Sequence, residues 1–255
     1  MVDEQTSSSV ETRLNEEHNI VNGRDDVSGV REPLAITPGP RRSVGHSGRM
    51  NDWTEWHDAY DDPDSPLSQR LLAVQQQIRL AIERTSPGPV RLLSLCAGQG
   101  RDILPVLATH PRGADVTGRL VELDPDLCAA ARSAAQASVE VVEGDAGTTA
   151  ACRGAVPADV LLLCGIFGNI SDEDIARTIA AVPALLGTGG TVVWTRNTRA
   201  PDLTPRLRSW FADAGVVETA FVAAPRPGWA VGAGVLRAPS VPLERDRRLF
   251  SFAEV

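Results

Sequence analysis

No lysine occurs in this sequence. Its 25 basic side chains are all arginine and face 33 carboxylates, for a formal net charge of −8. An acidic chain without a basic run lacks the electrostatic footprint of a nucleic-acid binder, although a local arginine patch can still capture an anionic substrate. Long apolar runs are missing too: none approaches the roughly 18 residues of a membrane span. The N-terminal stretch MVDEQTSSSVETRLNEEHN has no apolar core of the kind that marks a secretory signal. Cysteine is sparse: Cys96, Cys128, Cys152 and Cys164 are spread out and form no C-x-x-C pair. They are expected to be reduced thiols in a cytoplasmic protein. No His, Asp and Cys set has metal-ligand spacing, so no metal site is expected.

The hydrophobic fraction, 42%, suffices for a real core. It is unevenly placed. Residues 1–48 are rich in Ser, Asp, Glu, Gly, Pro and Arg without a sustained apolar period, and such composition predicts a disordered tail. Met50 follows it, so translation starting there is a plausible alternative to Met1. Residues 49–85 are expected to form a helical lid segment: NDWTEWHDAY, then a helix capped by Ser65, opened by Pro66, with Leu67, Leu71, Val74, Ile78 and Ile82 on one face.

From residue 86 to 255 strands and helices alternate. Strands are expected at 90–96, 115–122, 139–143, 159–164 and 191–196, and helices at 101–110, 125–137, 172–186 and 203–214. Two last strands, 216–223 and 230–237, are joined by Pro225-Arg226-Pro227-Gly228. That link is too short for a helical crossover, so the pair must be antiparallel. The rest reads as a parallel sheet with helices on both faces. The expected fold is therefore α/β: a Rossmann-like, seven-stranded, mostly parallel sheet ending in an antiparallel hairpin.

Four strand ends carry the chemistry. LLSLCAGQGRDI places Gly98 and Gly100 between the first strand and its helix, where backbone can approach a ligand closely and a helix N-terminus favours negative charge. VTGRLVELDP ends its strand in Glu122, 22 residues beyond Gly100, a position suited to accepting both hydroxyls of a ribose. VVEGDA ends the third strand with Asp145 and Ala146, which can accept from and donate to an adenine ring; an N-cap is the other reading of Asp145. DVLLLCGIFGNI brings Cys164, Gly165, Ile166 and Asn169 to the switch point of the sheet, with Asn169 offering donors and an acceptor.

In that order these elements resemble the class I S-adenosylmethionine (SAM)-dependent methyltransferases, over about residues 65–237. The runs WTEWHDAYDDPDSPLSQRL, LCAGQGRD, VELDP, LLCGIFGNISD and VVWTRNTRAPDLTP resemble a family of uncharacterised actinobacterial proteins of that class. The resemblance implies the fold and SAM as cofactor; it supplies no substrate, and a small-molecule methyl acceptor is the expectation. It implies cofactor contacts from Cys96, Ala97, Gly98, Gly100 and Arg101, from Glu122 and Leu123, from Asp145 and Ala146, and from Cys164, Gly165 and Ile166. The chain departs from the usual first motif in having Ser94 where an acidic residue is common and Cys96 where a glycine is common. Backbone carbonyls around Cys96 and Gly165 are then the expected partners of the cofactor's amino group.

Candidates for the acceptor side are Trp53, Trp56, His57 and Tyr60 before the first helix, with Trp56 and Tyr60 one helical turn apart. His57, Tyr60 and Asn169 are the candidate catalytic groups, His57 as a general base. Trp56 and Arg196 are candidate substrate contacts, with Trp194, Asn197 and Arg199 nearby. Two alternatives remain open: an NAD-dependent oxidoreductase, against which Ile103 stands where a third glycine belongs, and a non-catalytic SAM-binding protein. Finally, Cys96 and Cys164 end strands expected to be neighbours, about 4.8 Å apart. They read either as buried small hydrophobes or as a redox-sensitive pair beneath the site.

Overall fold

The computed structural model describes residues 62, 64–225 and 227–252. The expected tail and residues 49–61 and 63 of the lid segment, with Trp53, Trp56, His57 and Tyr60 among them, lie outside these residues.

The described chain opens with α1 (Pro66–Arg84), whose start follows from capping chemistry: Ser65 Oγ accepts from the Ser68 N–H at 3.0 Å, and Pro66 fills a first-turn position that needs no donor. There follow β1 (Val90–Leu95), α2 (Leu104–Thr109), β2 (Val116–Glu122), α3 (Pro125–Ala134), β3 (Val139–Glu143), β4 (Ala158–Leu163), α4 (Asp172–Ala180), α5 (Val182–Leu185), β5 (Leu186–Asn197), α6 (Thr204–Asp213), β6 (Val216–Ala223) and β7 (Trp229–Leu236).

The seven strands form one sheet in the order β3-β2-β1-β4-β5-β7-β6. Pairing from β3 through β5 is parallel, and β7 is antiparallel to both β5 and β6. The expected seven-stranded, mostly parallel sheet with a closing hairpin is therefore what forms. Val160, Leu161, Leu162 and Leu163 of β4 are all fully buried, as a strand covered on both faces requires. Their alternation divides the core. Leu161, Leu163, Val192 and Trp194 face Ile175, Ile179, Val182, Leu185, Leu207 and Phe211 of α4, α5 and α6. Leu92, Val160, Leu162 and Val193 face Val74, Ile78 and Ile82 of α1 and Ile103, Leu104, Val106 and Leu107 around α2.

Three elements differ from the sequence expectation. The helix expected at 101–110 begins only at Leu104, because residues 100–103 close as tight turns, with Ile103 and Leu104 N–H groups both donating to the Gly100 carbonyl. The helix expected at 172–186 breaks at Ala181. Pro183 lacks the N–H that continuation would require and can stand only at the start of a new helix. The strand expected at 191–196 begins at Leu186, and its pairing with β4 jumps from Ala158↔Leu186 to Val160↔Thr191. The irregularity absorbs Gly187 to Gly190 into the strand.

Candidate functional site

The C-terminal ends of β1 to β5 lie along one edge, and the order β3-β2-β1-β4-β5 makes β1/β4 the switch point, where open α/β sheets accept ligands. Backbone φ is +56° at Cys96, +55° at Gly98 and +71° at Gly100. For the glycines this conformation is free; for Cys96 it costs on the order of 1–3 kcal/mol, a strain that clusters at functional loops. The loop is held by three bonds. The Ala97 N–H donates to the Val121 carbonyl at 3.0 Å, the Gly100 N–H to the Ala97 carbonyl at 2.9 Å, and the Gly98 N–H to Glu122 Oε2 at 2.7 Å. A Cβ on Gly100 would lie 2.7 Å from Leu104 Cδ1, so the loop also rests directly on α2.

Glu122 is thus a clamp as well as a candidate ligand contact. Its Oε1 accepts from the N–H groups of Leu123 and Asp124 at 2.8 and 3.0 Å. Three of the roughly four acceptor sites of a carboxylate are engaged by backbone. Next to it Leu123 is 65% exposed, an uncommitted apolar side chain on the rim.

Asp145 does not cap a helix: the following 3-10 turn at Thr149–Cys152 has no side-chain cap. Its Oδ1 accepts from the Gly147 N–H at 2.8 Å, and its Oδ2 is ion-paired with Arg248 Nη1 at 2.5 Å. Ala146 is buried beneath.

After β4, Gly165 has φ +76° and open space where a Cβ would stand. Its N–H donates to Thr195 Oγ1 at 2.8 Å, and its carbonyl accepts from Asn169 Nδ2 at 2.7 Å. Asn169 therefore fastens the loop with its amide nitrogen. Ile166 and Phe167 are buried.

The two cysteines part company. The register Ser94↔Leu162 carries Cys96 opposite Cys164, as expected of neighbouring strands. The left-handed turn at Cys96 then reverses its side chain. Cys96 packs with the α4–α6 cluster and Cys164 with the α1–α2 cluster, across the sheet from each other, and both thiols are free. Burial pushes the Cys96 thiol well above its ordinary range, and the nearby charges of Glu122 and Asp145 push it further. Burial likewise raises Cys164. Neither is poised as a thiolate, and the geometry favours the reading as small hydrophobes, here partly buried against the two core clusters.

On the acceptor side, Trp194 is core: it is 3% exposed and stacks on Phe211 at 5.5 Å between centroids. Arg196 is half-buried, and its Nε has no hydrogen-bond partner among the described residues. Burial lowers its guanidinium pKa, opposed by Asp172 and Asp202. Asn197 Nδ2 would meet a Cβ placed on Gly168 at 3.1 Å, so the loops after β4 and β5 touch here. Arg199 donates its backbone N–H to Asn197 Oδ1 at 3.3 Å.

Sequence reasoning missed Asp102. Its Oδ1 is buried without a hydrogen-bond partner among the described residues. Burial pushes its carboxyl up to about 6, moderated by the backbone amides of Asp102 and Ile103 and by the charge of Arg70. The signal was there to read, since Asp102 is an acidic residue two places after Gly100, in the turns that close the glycine loop. Thr195 and Arg248 were also missed, and no local pattern marks either.

No family model matches the sequence, and no curated protein is similar to it. Solved structures are. An O-methyltransferase family protein from Burkholderia thailandensis superposes with a TM-score of 0.54 at 19% identity, over 75% of this chain and 62% of that chain. The chain thus spans less than two thirds of that protein's length. Magnesium protoporphyrin IX methyltransferase from Synechocystis PCC 6803, solved with SAM, gives 0.55 at 11% identity, over 72% of this chain and 91% of that one. The 1,6-didemethyltoxoflavin-N1-methyltransferase of Burkholderia thailandensis, solved with its substrate and S-adenosylhomocysteine, gives 0.53 at 16% identity, over 72% and 87%. The chain has the Rossmann-like fold of class I methyltransferases. Among the described residues no helix is long and apolar enough to cross a membrane.

Proposed function

We propose that this protein is a SAM-dependent methyltransferase acting on a small-molecule acceptor. The observation that carries the reading is the convergence at one sheet edge of the strained Cys96–Gly100 loop, the Glu122 carboxylate and the Asp145 carboxylate, from consecutive strands. These are the polar groups a nucleoside linked to an amino acid requires, and they fit: Glu122 toward the ribose, Asp145 and the Ala146 N–H toward adenine, the loop toward the carboxylate. Leu123 adds exposed apolar surface beside the ring, while Ile166 is packed in the core behind the loop. For the cofactor's ammonium group we assign Asp102, whose Oδ1 lacks a partner, together with the Cys96 and Gly165 carbonyls, because Ser94 carries no charge.

The cofactor supplies a sulfonium-bound methyl group, and its transfer needs alignment more than covalent assistance. This chain's own residues supply that alignment. Asn169 and Thr195 fix the Gly165 loop from two sides, leaving the space beside Gly165 clear. Arg196, with an unpartnered Nε, is suited to an anionic group on the acceptor. The middle of α1 lies beside the turn that follows the glycine loop, where Gln75 donates to the Arg101 carbonyl at 2.9 Å. That contact supports a lid over the site from the segment before α1, with Trp56 and Tyr60 lining it and His57 as a base. The resemblance of the motif runs to an actinobacterial family points the same way and names no acceptor. The free thiols accord with a cytoplasmic location.

The oxidoreductase alternative gains no support: Ile103, at the third-glycine position, is fully buried in the core. Incubation with methyl-labelled SAM and a small-molecule extract tests the proposal. Label should enter the low-mass fraction; SAM binding without any transfer would leave a non-catalytic binder instead.

A further inference from the structure

The last described residues pack back onto the candidate site. After Asp246 they run back across the loop that follows β3. The Thr149 N–H donates to the Arg247 carbonyl and the Arg247 N–H to Thr149 Oγ1, both at 3.0 Å, and the Leu249 N–H donates to the Gly147 carbonyl at 2.7 Å. Leu249 and Phe250 are buried in the α4–α6 cluster. The Ser251 N–H donates to Asp174 Oδ2 at 2.8 Å, and Phe252 forms an antiparallel bridge with Ile170, next to Asn169. The segment is therefore a strap, anchored at both ends, that runs from the Asp145 loop to the loop after β4. Gly147 is where it passes closest: a Cβ there would lie 2.3 Å from the Phe250 carbonyl oxygen.

The strap delivers Arg248 to Asp145. Nη1 of Arg248 binds Asp145 Oδ2 at 2.5 Å and also reaches the strap's own Phe250 carbonyl at 3.4 Å. With Oδ1 held by the Gly147 N–H, both carboxylate oxygens are fixed in direction, and each retains a lone pair for a ligand donor. The two side chains are about half exposed, 49% and 48%. Such a pair adds little to folding stability. What it adds is orientation.

We propose that Arg248 is a positioning residue for adenine recognition, acting through Asp145, and that the C-terminal strap is in this way part of the cofactor site. The proposal rests on the reading of this edge as a SAM site. It follows that the chain's selectivity for a 6-amino purine depends on a residue 103 positions away in sequence from the carboxylate that reads it.

The test is calorimetry on the full chain with S-adenosylhomocysteine and its inosine counterpart, in which a 6-oxo group replaces the amine. The wild-type chain should prefer the adenosine ligand. Arg248→Gln should weaken that ligand about tenfold, the scale of one charge-assisted hydrogen bond, and leave the inosine ligand nearly unchanged. Arg248→Lys should retain most of the preference. Gly147→Ala, whose Cβ would crowd the Phe250 carbonyl of the strap together with Asp145 Oδ1 and Arg248 Nη1, should lose it as Arg248→Gln does. Equal weakening of both ligands in Arg248→Gln would show a merely structural role and overturn the proposal. Unchanged binding would overturn it too, and tighter binding would show that the strap competes with adenine. Those results leave the cofactor reading standing, whereas a wild-type chain that binds neither ligand removes both.

Discussion

Replacing Asp102 with Asn should stabilise the protein near neutral pH and leave it unchanged in acid. In the folded chain the Asp102 carboxyl is pushed from 3.8 to about 6, chiefly by burial. Between those two values the folded state binds more protons than the unfolded state, so stability falls as pH rises through the window and stays lower above it. A shift of this size corresponds to about 3 kcal/mol, at 1.36 kcal/mol per unit. Asn carries no charge to desolvate. It leaves a buried polar group with no partner, but so does the protonated acid, and that burden cancels in the comparison. Asp102→Asn is therefore expected to gain about 2–3 kcal/mol at pH 7.5 and about zero near pH 4. Urea unfolding at the two pH values reads the difference directly. An equal effect at both pH values, or a loss at pH 7.5, would show that the carboxylate is not penalised and would refute the reasoning. The same variant should bind SAM more weakly, since a bound ammonium group is what makes a costly carboxylate worth keeping.

Glu122→Ala removes three backbone N–H partners and the ribose acceptor together, and SAM affinity measured by calorimetry should fall by about 1.5–3 kcal/mol; unchanged affinity would take Glu122 out of the site. Gly232→Ala places a Cβ 2.2 Å from the Trp194 indole, and chemical denaturation should show a loss of about 1–3 kcal/mol. A smaller loss would mean that the Trp194–Phe211 stack shifts easily. Hydrogen exchange across residues 51–60 should slow when S-adenosylhomocysteine binds. Absence of protection there would dissociate Trp56, His57 and Tyr60 from the pocket.

The fold was legible because its signals are local. Alternating strands and helices, a link too short for a crossover and a fully apolar β4 dictate the sheet almost unaided. Glu122 and Asp145 were legible as candidates because a strand end announces itself, and both stand at or just beyond one. The direction of Cys96 was not, since strict alternation puts it on the face of Cys164 and only the left-handed turn moves it across. The break at Ala181 was readable from Pro183, yet the apolar period on either side of it suggested one helix. Trp194 looked like a substrate contact from its place near a strand end, but Gly232 on the neighbouring strand opens the room that buries it. Arg248 reaches Asp145 only through the path of the strap, and nothing in either neighbourhood foretells the pairing.

The central claim is that this sheet edge holds SAM, and isothermal titration of the full chain with SAM and, separately, with NAD tests it most directly. Saturable binding of SAM with one site per chain, lost or weakened in Glu122→Ala, and no heat of binding with NAD is the predicted result. Binding of NAD in preference to SAM, or of neither, would contradict it.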